Sequence, residues 1–218
     1  EANIDEVARA IGKDTRIGDK FLNASVGFGG SCFRKDLLNL IYISRSFQLD
    51  EVADYWEGVL KINEYQQQRF ADLIIKENFN TISDKIIVLF GWSFKKDTND
   101  SRESSSVNIA DKLIEEKAKI IVIDPKVSEE QMLNDLNNLS TRSYKLNAKS
   151  LKKALSPYEA VKNSHSIAIL TEWDEFTSYD YAEIFKNMTK PAFIFDGRRL
   201  LDPNELRSIG FQTFKLGE

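Results

Sequence analysis

The sequence is poor in the residues that cross-link chains, ligate metals and break helices: of 218 residues one is cysteine, one is histidine and four are proline. With Cys32 alone there is no internal disulfide framework, and with His165 as its only companion a Cys/His metal cluster lacks ligands, so no metal is expected. No uninterrupted apolar run approaches the ~18 residues of a bilayer-crossing helix. The opening residues, Glu1-Ala2-Asn3-Ile4-Asp5, have neither the basic patch nor the apolar core of a signal peptide. A cytoplasmic protein without a membrane partner is the expectation. An excess of positive charge is missing too: 30 Lys and Arg against 34 Asp and Glu give a formal net charge of −4, which argues against a generally basic nucleic-acid binder. What is present is an ordinary supply of apolar residues, 42% of the chain, enough to bury the core of one large domain or two small ones. Chemistry therefore rests on one thiol, carboxylates and cations.

The first third has helical periodicity. Glu6 to Ile11 looks like the end of a helix, and from Lys35 to Phe79 apolar residues such as Leu37, Leu38, Ile41, Val52, Tyr55, Trp56, Val59, Ile62, Tyr65, Phe70 and Ile74 recur at three- and four-residue spacings. Apart from Gly58 this run has no glycine, and it has no proline; only Gln48-Leu49-Asp50 suggests a bend. The spacing predicts a helix of about forty residues, ~60 Å long, which either joins two domains or packs against a copy of itself.

After Asn80 to Asp84 the pattern changes to short β-branched runs. Lys85 to Gly91, Lys119 to Pro125, His165 to Leu170 and Ala192 to Asp196 read as buried parallel strands, and Phe211 to Leu216 as a last strand. Ser104 to Glu116 and Tyr181 to Asn187 read as helices between them, while Ser128 to Leu155 reads as polar and irregular, with short helices and a mobile loop. The expected fold is α/β: a long central helix region over residues 1–83, followed by a Rossmann-like, doubly wound parallel-sheet domain over 84–218.

A dinucleotide site would need Gly-x-Gly-x-x-Gly after the first strand. The turn here is Gly91-Trp92-Ser93-Phe94-Lys95-Lys96, with two of the three glycines absent and bulky Trp92 and Phe94 expected where a cofactor would lie. The crossover continues to Ser106 with Lys95, Lys96 and Arg102, an aromatic ring and several hydroxyls, matched to phosphates and a uracil-sized ring. The alternative is a solvated loop in which Ser104 to Ser106 cap the next helix.

The segment Gly27-Phe28-Gly29-Gly30-Ser31-Cys32-Phe33-Arg34-Lys35-Asp36 is the most informative. Its glycines allow a tight turn against a ligand, and Cys32 opens a helix, where exposed amides together with Arg34 and Lys35 favour a thiolate. Asp36 lies one turn on, on the face that carries Cys32, able to hold a water beside whatever the sulfur carries. The alternative reading of a lone cysteine is a small buried hydrophobe.

That segment closely resembles the catalytic cysteine motif of UDP-glucose 6-dehydrogenases, animal-type above all. So do Phe94-Lys95-Lys96-Asp97-Thr98 with Asp100, Arg102-Glu103-Ser104-Ser105-Ser106, Thr171-Glu172-Trp173-Asp174, and Lys190 to Arg199 with its Asp196-Gly197-Arg198-Arg199 end. Ser31 argues against the UDP-N-acetylmannosamine dehydrogenases; a GDP-mannose dehydrogenase fits the later motifs less well.

The resemblance implies an NAD-dependent, two-step oxidation of UDP-glucose to UDP-glucuronate through a thiohemiacetal and a thioester on Cys32, with Asp36 positioning or activating water. It implies cofactor contacts from Cys32, Phe33, Arg34, Lys35 and Arg102. Substrate contacts would come from Asn23, Ala24, Ser25, Val26, Gly27, Phe28, Gly29, Phe94, Lys95 and Arg198, or Arg199 in place of Arg198, with Arg16 reaching a neighbouring subunit's sugar. It further implies a homodimer through the long helix, a hexamer of the full enzyme, and a chain corresponding to the carboxyl-terminal portion, without the NAD-binding Rossmann domain. Two other classes stay open: a non-catalytic nucleotide-sugar-binding or oligomerisation module, and a thiol-dependent hydrolase, which would need His165 as the base for Cys32.

Overall fold

The computed structural model describes residues 3–19, 22–139 and 150–217. It opens with a short helix, α1 (Ile4–Gly12), capped by the Asn3 side chain, which accepts from the Asp5 amide. The single helix expected over Lys35–Phe79 is two, α2 (Phe33–Ser46) and α3 (Asp50–Glu77), folded back on each other. The break is a Schellman closure: Gln48 adopts φ +58°, its amide donates to the Arg45 carbonyl at 3.0 Å, and the Leu49 amide donates to Ser44 at 2.9 Å. The bend suggested at Gln48-Leu49-Asp50 is thus a full reversal, which the sequence does not signal because Gln48 stands where glycine is usual. The antiparallel pair is laced by Arg34 to Glu64 at 3.2 Å near one end and by Arg45 to Glu57 at 2.8 Å and Asp54 at 3.1 Å near the turn. At 28 residues α3 is about 42 Å long.

The β-branched runs form one parallel sheet from β1 (Ile86–Phe90), β2 (Lys119–Ile123), β3 (Leu151–Lys153), β4 (Ser166–Ile169), β5 (Phe193–Asp196) and β6 (Gln212–Lys215), in the order β3-β2-β1-β4-β5-β6. Val88 sits opposite Ile121 on one side and Ile167 on the other. One face is covered by α4 (Ser105–Glu115), α5 (Glu129–Asn137) and the later turns of α3, which bury Phe70, Ile74, Ile109, Leu113 and Met132. The other is covered by α6 (Pro157–Ala160), α7 (Tyr181–Asn187) and α8 (Pro203–Ile209), with Val161, Tyr181, Ile184 and Leu206 against Val88, Phe90 and Ile167. Each fully buried large apolar side chain contributes about 1.5–3 kcal/mol, so α3, which inserts Phe70, Ala71 and Ile74, is anchored in the sheet's core while its first half extends into the hairpin.

The doubly wound expectation holds for the sheet. The polar stretch Ser128 to Leu155 contains α5 and the edge strand β3, and its middle, 140–149, lies outside the described residues. Strand order reverses between β1 and β4, so the crevice at the carboxyl ends of these strands is where an open α/β sheet takes its ligand. Among the described residues no helix is long and apolar enough to cross a membrane.

Candidate active site at the carboxyl edge of the sheet

Three strand ends meet at the crevice. Gly91, at the end of β1, has φ +100°, and a methyl group there would lie 2.2 Å from Thr171 Cβ, so only glycine lets β1 and β4 close on each other. Thr171 Oγ1 donates to the Ser93 carbonyl at 2.6 Å, fastening the two turns. From β5, Arg198 reaches across both: Nε donates to the Leu170 carbonyl and Nη2 to the Phe94 carbonyl, each at 2.7 Å, with Glu172 Oε2 3.3 Å from Nε. Burial pushes the guanidinium down from its ordinary value and Glu172 opposes that shift. Arg199, the alternative to Arg198, faces elsewhere: it grips Asp5 of α1 at 2.6 Å and the Leu216 carbonyl, and this bond holds the Asp5 carboxyl below the usual carboxylate range.

The glycine segment lies over this edge. Val26 is fully buried, packed onto Gly197, where a methyl group would stand 2.3 Å from Val26 Cγ1. The Phe28 amide donates to Asn63 Oδ1 at 2.8 Å and Asn63 Nδ2 donates back to the Phe28 carbonyl at 3.2 Å, so one side chain of α3 satisfies both backbone groups. Gly30 (φ +90°) donates to the Arg102 carbonyl at 2.9 Å and faces the Phe94 ring. These contacts bring the start of α2, with an exposed Cys32 as its N-cap, to the β1–α4 crossover. Ser31 Oγ lies 3.7 Å from Cys32 Sγ, and the Asp36 amide donates to the Cys32 carbonyl at 2.9 Å. Arg102 makes two bonds to Asp100, at 2.9 and 2.7 Å, and they raise its basicity.

The expected site residues thus divide. Phe94, Lys95 and Arg198 stand at the crevice, Gly29 and Gly30 pack against Phe94 and the Arg102 end of the crossover, and Cys32, Phe33 and an exposed Asp36 follow at the start of α2, with Phe33 edge-on to Phe28 at 4.6 Å and the Lys95 ammonium 5.4 Å from the Phe94 ring centre. Asn23 and Lys35 are exposed, and Ala24 and Ser25 half-buried, Ser25 Oγ donating to the Gly27 carbonyl. Val26 is buried against Gly197 and is not exposed to the crevice. Arg34 pairs with Glu64 and, at 3.4 Å, with Glu103. Arg16 is exposed and bonds Asp14. Sequence reasoning missed Asn63 and Gln67, polar residues one turn apart on the buried face of an amphipathic helix; that misplaced polarity was the available signal.

The first turn does not fit a dinucleotide. Trp92 does not fill the crevice as expected: it is fully buried, because its indole N–H finds Asp135 of α5 at 2.9 Å. Asp124, at the end of β2 where an acidic side chain would hold a ribose, is consumed by the amides of Trp92 (2.7 Å), Ser93, Lys126 and Val127 and by the Trp173 indole. Ser104 caps α4, accepting from the Ser106 amide and donating to the Trp92 carbonyl. His165, at the amino end of β4, accepts the Ile86 amide on Nδ1; it stands at the opposite edge of the sheet from Cys32, which removes the thiol-hydrolase reading. Among the described residues no group of three His, Cys, Asp or Glu side chains could hold a metal ion.

Comparison with known proteins shows the family. Residues 88–203 match the UDP binding domain of the UDP-glucose/GDP-mannose dehydrogenase family, and residues 1–65 match that family's central domain. The chain is 52% identical over 220 residues to a UDP-glucose 6-dehydrogenase of Caenorhabditis elegans, covering 99% of this chain and 44% of the relative. It is also 52% identical to the enzyme of that name from Gallus gallus, over 100% of this chain and 44% of the relative. A solved UDP-glucose dehydrogenase from the archaeon Pyrobaculum islandicum superposes with a TM-score of 0.74 at 27% identity, over 98% of this chain and 43% of that one. The chain spans a little under half the length of the curated relatives it matches.

Proposed function

Because the chain belongs to the UDP-glucose/GDP-mannose dehydrogenase family, we propose that it forms the cysteine-bearing and nucleotide-sugar-binding part of an NAD-dependent UDP-glucose 6-dehydrogenase. The observation that carries this reading is the bond from Gly30 to Arg102, which joins the helix start bearing Cys32 to the crevice framed by Phe94, Lys95 and Arg198. In this reading Phe94 covers an apolar face of the nucleotide-sugar, and Lys95, with the part of Arg198 not committed to protein carbonyls, neutralises the diphosphate through charge-assisted bonds. The backbone from Asn23 to Gly29 lines the sugar and points its C6 at Cys32.

NAD, when bound, supplies the acceptor for the hydride lost in each of the two oxidations. Exposed Lys35 and Arg102 suit its phosphates, with Phe33 and Arg34 beside them, although the β1 turn of this chain offers no dinucleotide cradle. Cys32 Sγ adds to the C6 aldehyde left by the first oxidation, forming a carbon–sulfur bond and a thiohemiacetal whose carbon still carries a hydrogen. Oxidation of that adduct leaves a thioester. Asp36 holds the water that attacks it; the carbon–sulfur bond breaks, the thiolate returns to Cys32, and the acid departs. A second copy of the chain covers the apolar side of the α2–α3 hairpin, and such dimers build the hexamer.

The test is turnover in the full-length protein. UDP-glucose should be oxidised to UDP-glucuronate with reduction of NAD, and Cys32→Ser should lose acid release because an oxygen ester forms poorly and hydrolyses slowly. Undiminished UDP-glucuronate from that variant, or a wild type that oxidises GDP-mannose in preference, would refute the assignment. The isolated chain should bind UDP-glucose without reducing NAD.

A further inference from the structure

We propose that Asn63, on α3, is a positioning residue for Cys32: its amide holds the glycine segment in the one conformation that delivers the thiol to the crevice. Four observations converge on it. Asn63 is 8% exposed, an unfavourable place for an amide unless both its ends are bonded. Both are, and to the same residue: Oδ1 takes the Phe28 amide and Nδ2 gives to the Phe28 carbonyl, a two-point clamp that fixes the orientation of that peptide segment as well as its position. A methyl group on the preceding Gly27 would come within 2.7 Å of Asn63 Oδ1 and 2.9 Å of Ser105 Oγ, so the chain here is seated directly on the clamp with no room to shift. One turn further along α3, Gln67 donates to Ser105 Oγ at 3.1 Å and accepts from Asn108 at 2.8 Å, which ties the helix carrying the clamp to the amino end of α4, where the crossover bearing Phe94 and Arg102 ends.

Three residues separate Phe28 from Cys32, and Gly29 and Gly30 among them give the segment little stiffness of its own. Their positions are set from outside: Gly30 by the Arg102 carbonyl and the Phe94 ring, Phe28 by Asn63, and the ring of Phe28 by Phe33, the first residue of α2. Without Asn63 one of these anchors is gone, and two backbone groups lose their partners in a half-buried place. The thiol would then sample positions away from the reacting carbon, and displacements of about 1 Å in such settings cost up to roughly 100-fold in rate.

The kinetic arm of the test rests on the dehydrogenase reading; the thiol arm does not. In the full-length protein, Asn63→Ala should lower kcat for UDP-glucose oxidation by about 10- to 100-fold and change the rate of Cys32 alkylation by iodoacetamide, followed on the Cys32 peptide by mass spectrometry, by about threefold or more. Both are read well below the melting temperature of the variant. Asn63→Asp keeps the acceptor for the Phe28 amide and, when protonated, the donor as well, so its defect relative to wild type should shrink as pH falls. Ala71→Gly, which weakens the same buried helix without touching either amide bond, supplies the control: it should melt lower yet alkylate and turn over as wild type. Wild-type alkylation and kcat in Asn63→Ala would overturn the proposal, as would an equal defect in Ala71→Gly, which would reduce Asn63 to a contributor to helix stability. If Asn63→Ala does not fold, Asn63→Asp with an alkylation rate equal to that of wild type at every pH overturns it equally. A wild type that oxidises no UDP-glucose would remove the functional reading and leave the alkylation arm to decide this one.

Discussion

Arg198 and Glu172 form a partly buried ion pair, 3.3 Å apart, at the point where the loops after β4 and β5 meet. The same guanidinium donates to the carbonyls of Leu170 and Phe94, so one cation joins three strand ends that are far apart in sequence. In the proposed function it also meets the diphosphate, which makes its removal a structural and a binding event at once.

Truncating it should register in both. Arg198→Ala removes two bonds from a charged donor and leaves Glu172 with the Lys96 amide but without its ion-pair partner, a loss on the order of 3 kcal/mol, measurable as a lowered urea midpoint. Calorimetry with UDP-glucose should show affinity reduced by roughly 10- to 150-fold. Binding that ignores the substitution while stability falls would assign Arg198 a wholly structural role.

The glycines at the crevice separate fold from site. Gly91→Ala meets Thr171 at 2.2 Å from its side-chain Cβ and 2.7 Å from its backbone nitrogen, neither of which can move, at φ +100°. A loss of about 3 kcal/mol or failure to fold is expected. Gly30→Ala meets the Phe94 ring at 3.0 Å, and a ring can swing aside. That variant should lose only about 1–2 kcal/mol yet bind UDP-glucose poorly, because Phe94 is displaced. Equal thermal shifts for the two substitutions would contradict this ordering.

The α2–α3 hairpin leaves Tyr55, Ile62 and Tyr65 more than 60% exposed on one helix, with Tyr42 open on the other and Phe47 open just past its end. So large an apolar face suits a second copy. Sedimentation at micromolar concentration should give a dimer, and Ile62→Glu should shift it to monomer without lowering helix content. A monomeric wild type would sink the proposal.

His165 sets an acid-side dependence of stability. Burial first, and then the nearby Lys85, lower its pKa in the folded chain below the ordinary 6.5, and its Nδ1 already accepts the Ile86 amide, a bond that protonation removes. Between the folded and unfolded values the unfolded chain binds the extra proton, so stability is intact above about 6.5 and falls as pH drops below it. Urea midpoints between pH 7.5 and 5.5 should decline more for wild type than for His165→Gln. Parallel slopes would remove His165 as the cause. It is the only histidine in the sequence, so no other imidazole shares that window.

Much of the domain was legible because buried parallel strands read as unbroken β-branched runs, as Ile86-Ile87-Val88-Leu89-Phe90 does. The edge strand β3 was not, since Leu151-Lys152-Lys153 is short and carries two lysines, as a strand with one free side can. The helix hairpin was hidden for a different reason: apolar spacing carries on across Gln48, and the left-handed turn there is made by a residue with no preference for it.

The sequence by itself determined the order of elements, the parallel character of the strands, and the cysteine opening a helix beside flexible glycines, because each of these depends on residues within a few positions of one another. Tertiary structure alone decided which polar groups face the site. Asn63 reaches Phe28 across 35 positions, Asp124 is spent on Trp92 across 32, and Arg198 meets Phe94 across 104. A side chain's local periodicity says which face it occupies. Whether it ends there as a clamp, a cap or a ligand depends on which distant backbone groups packing leaves without a partner, and only the folded chain brings those groups together.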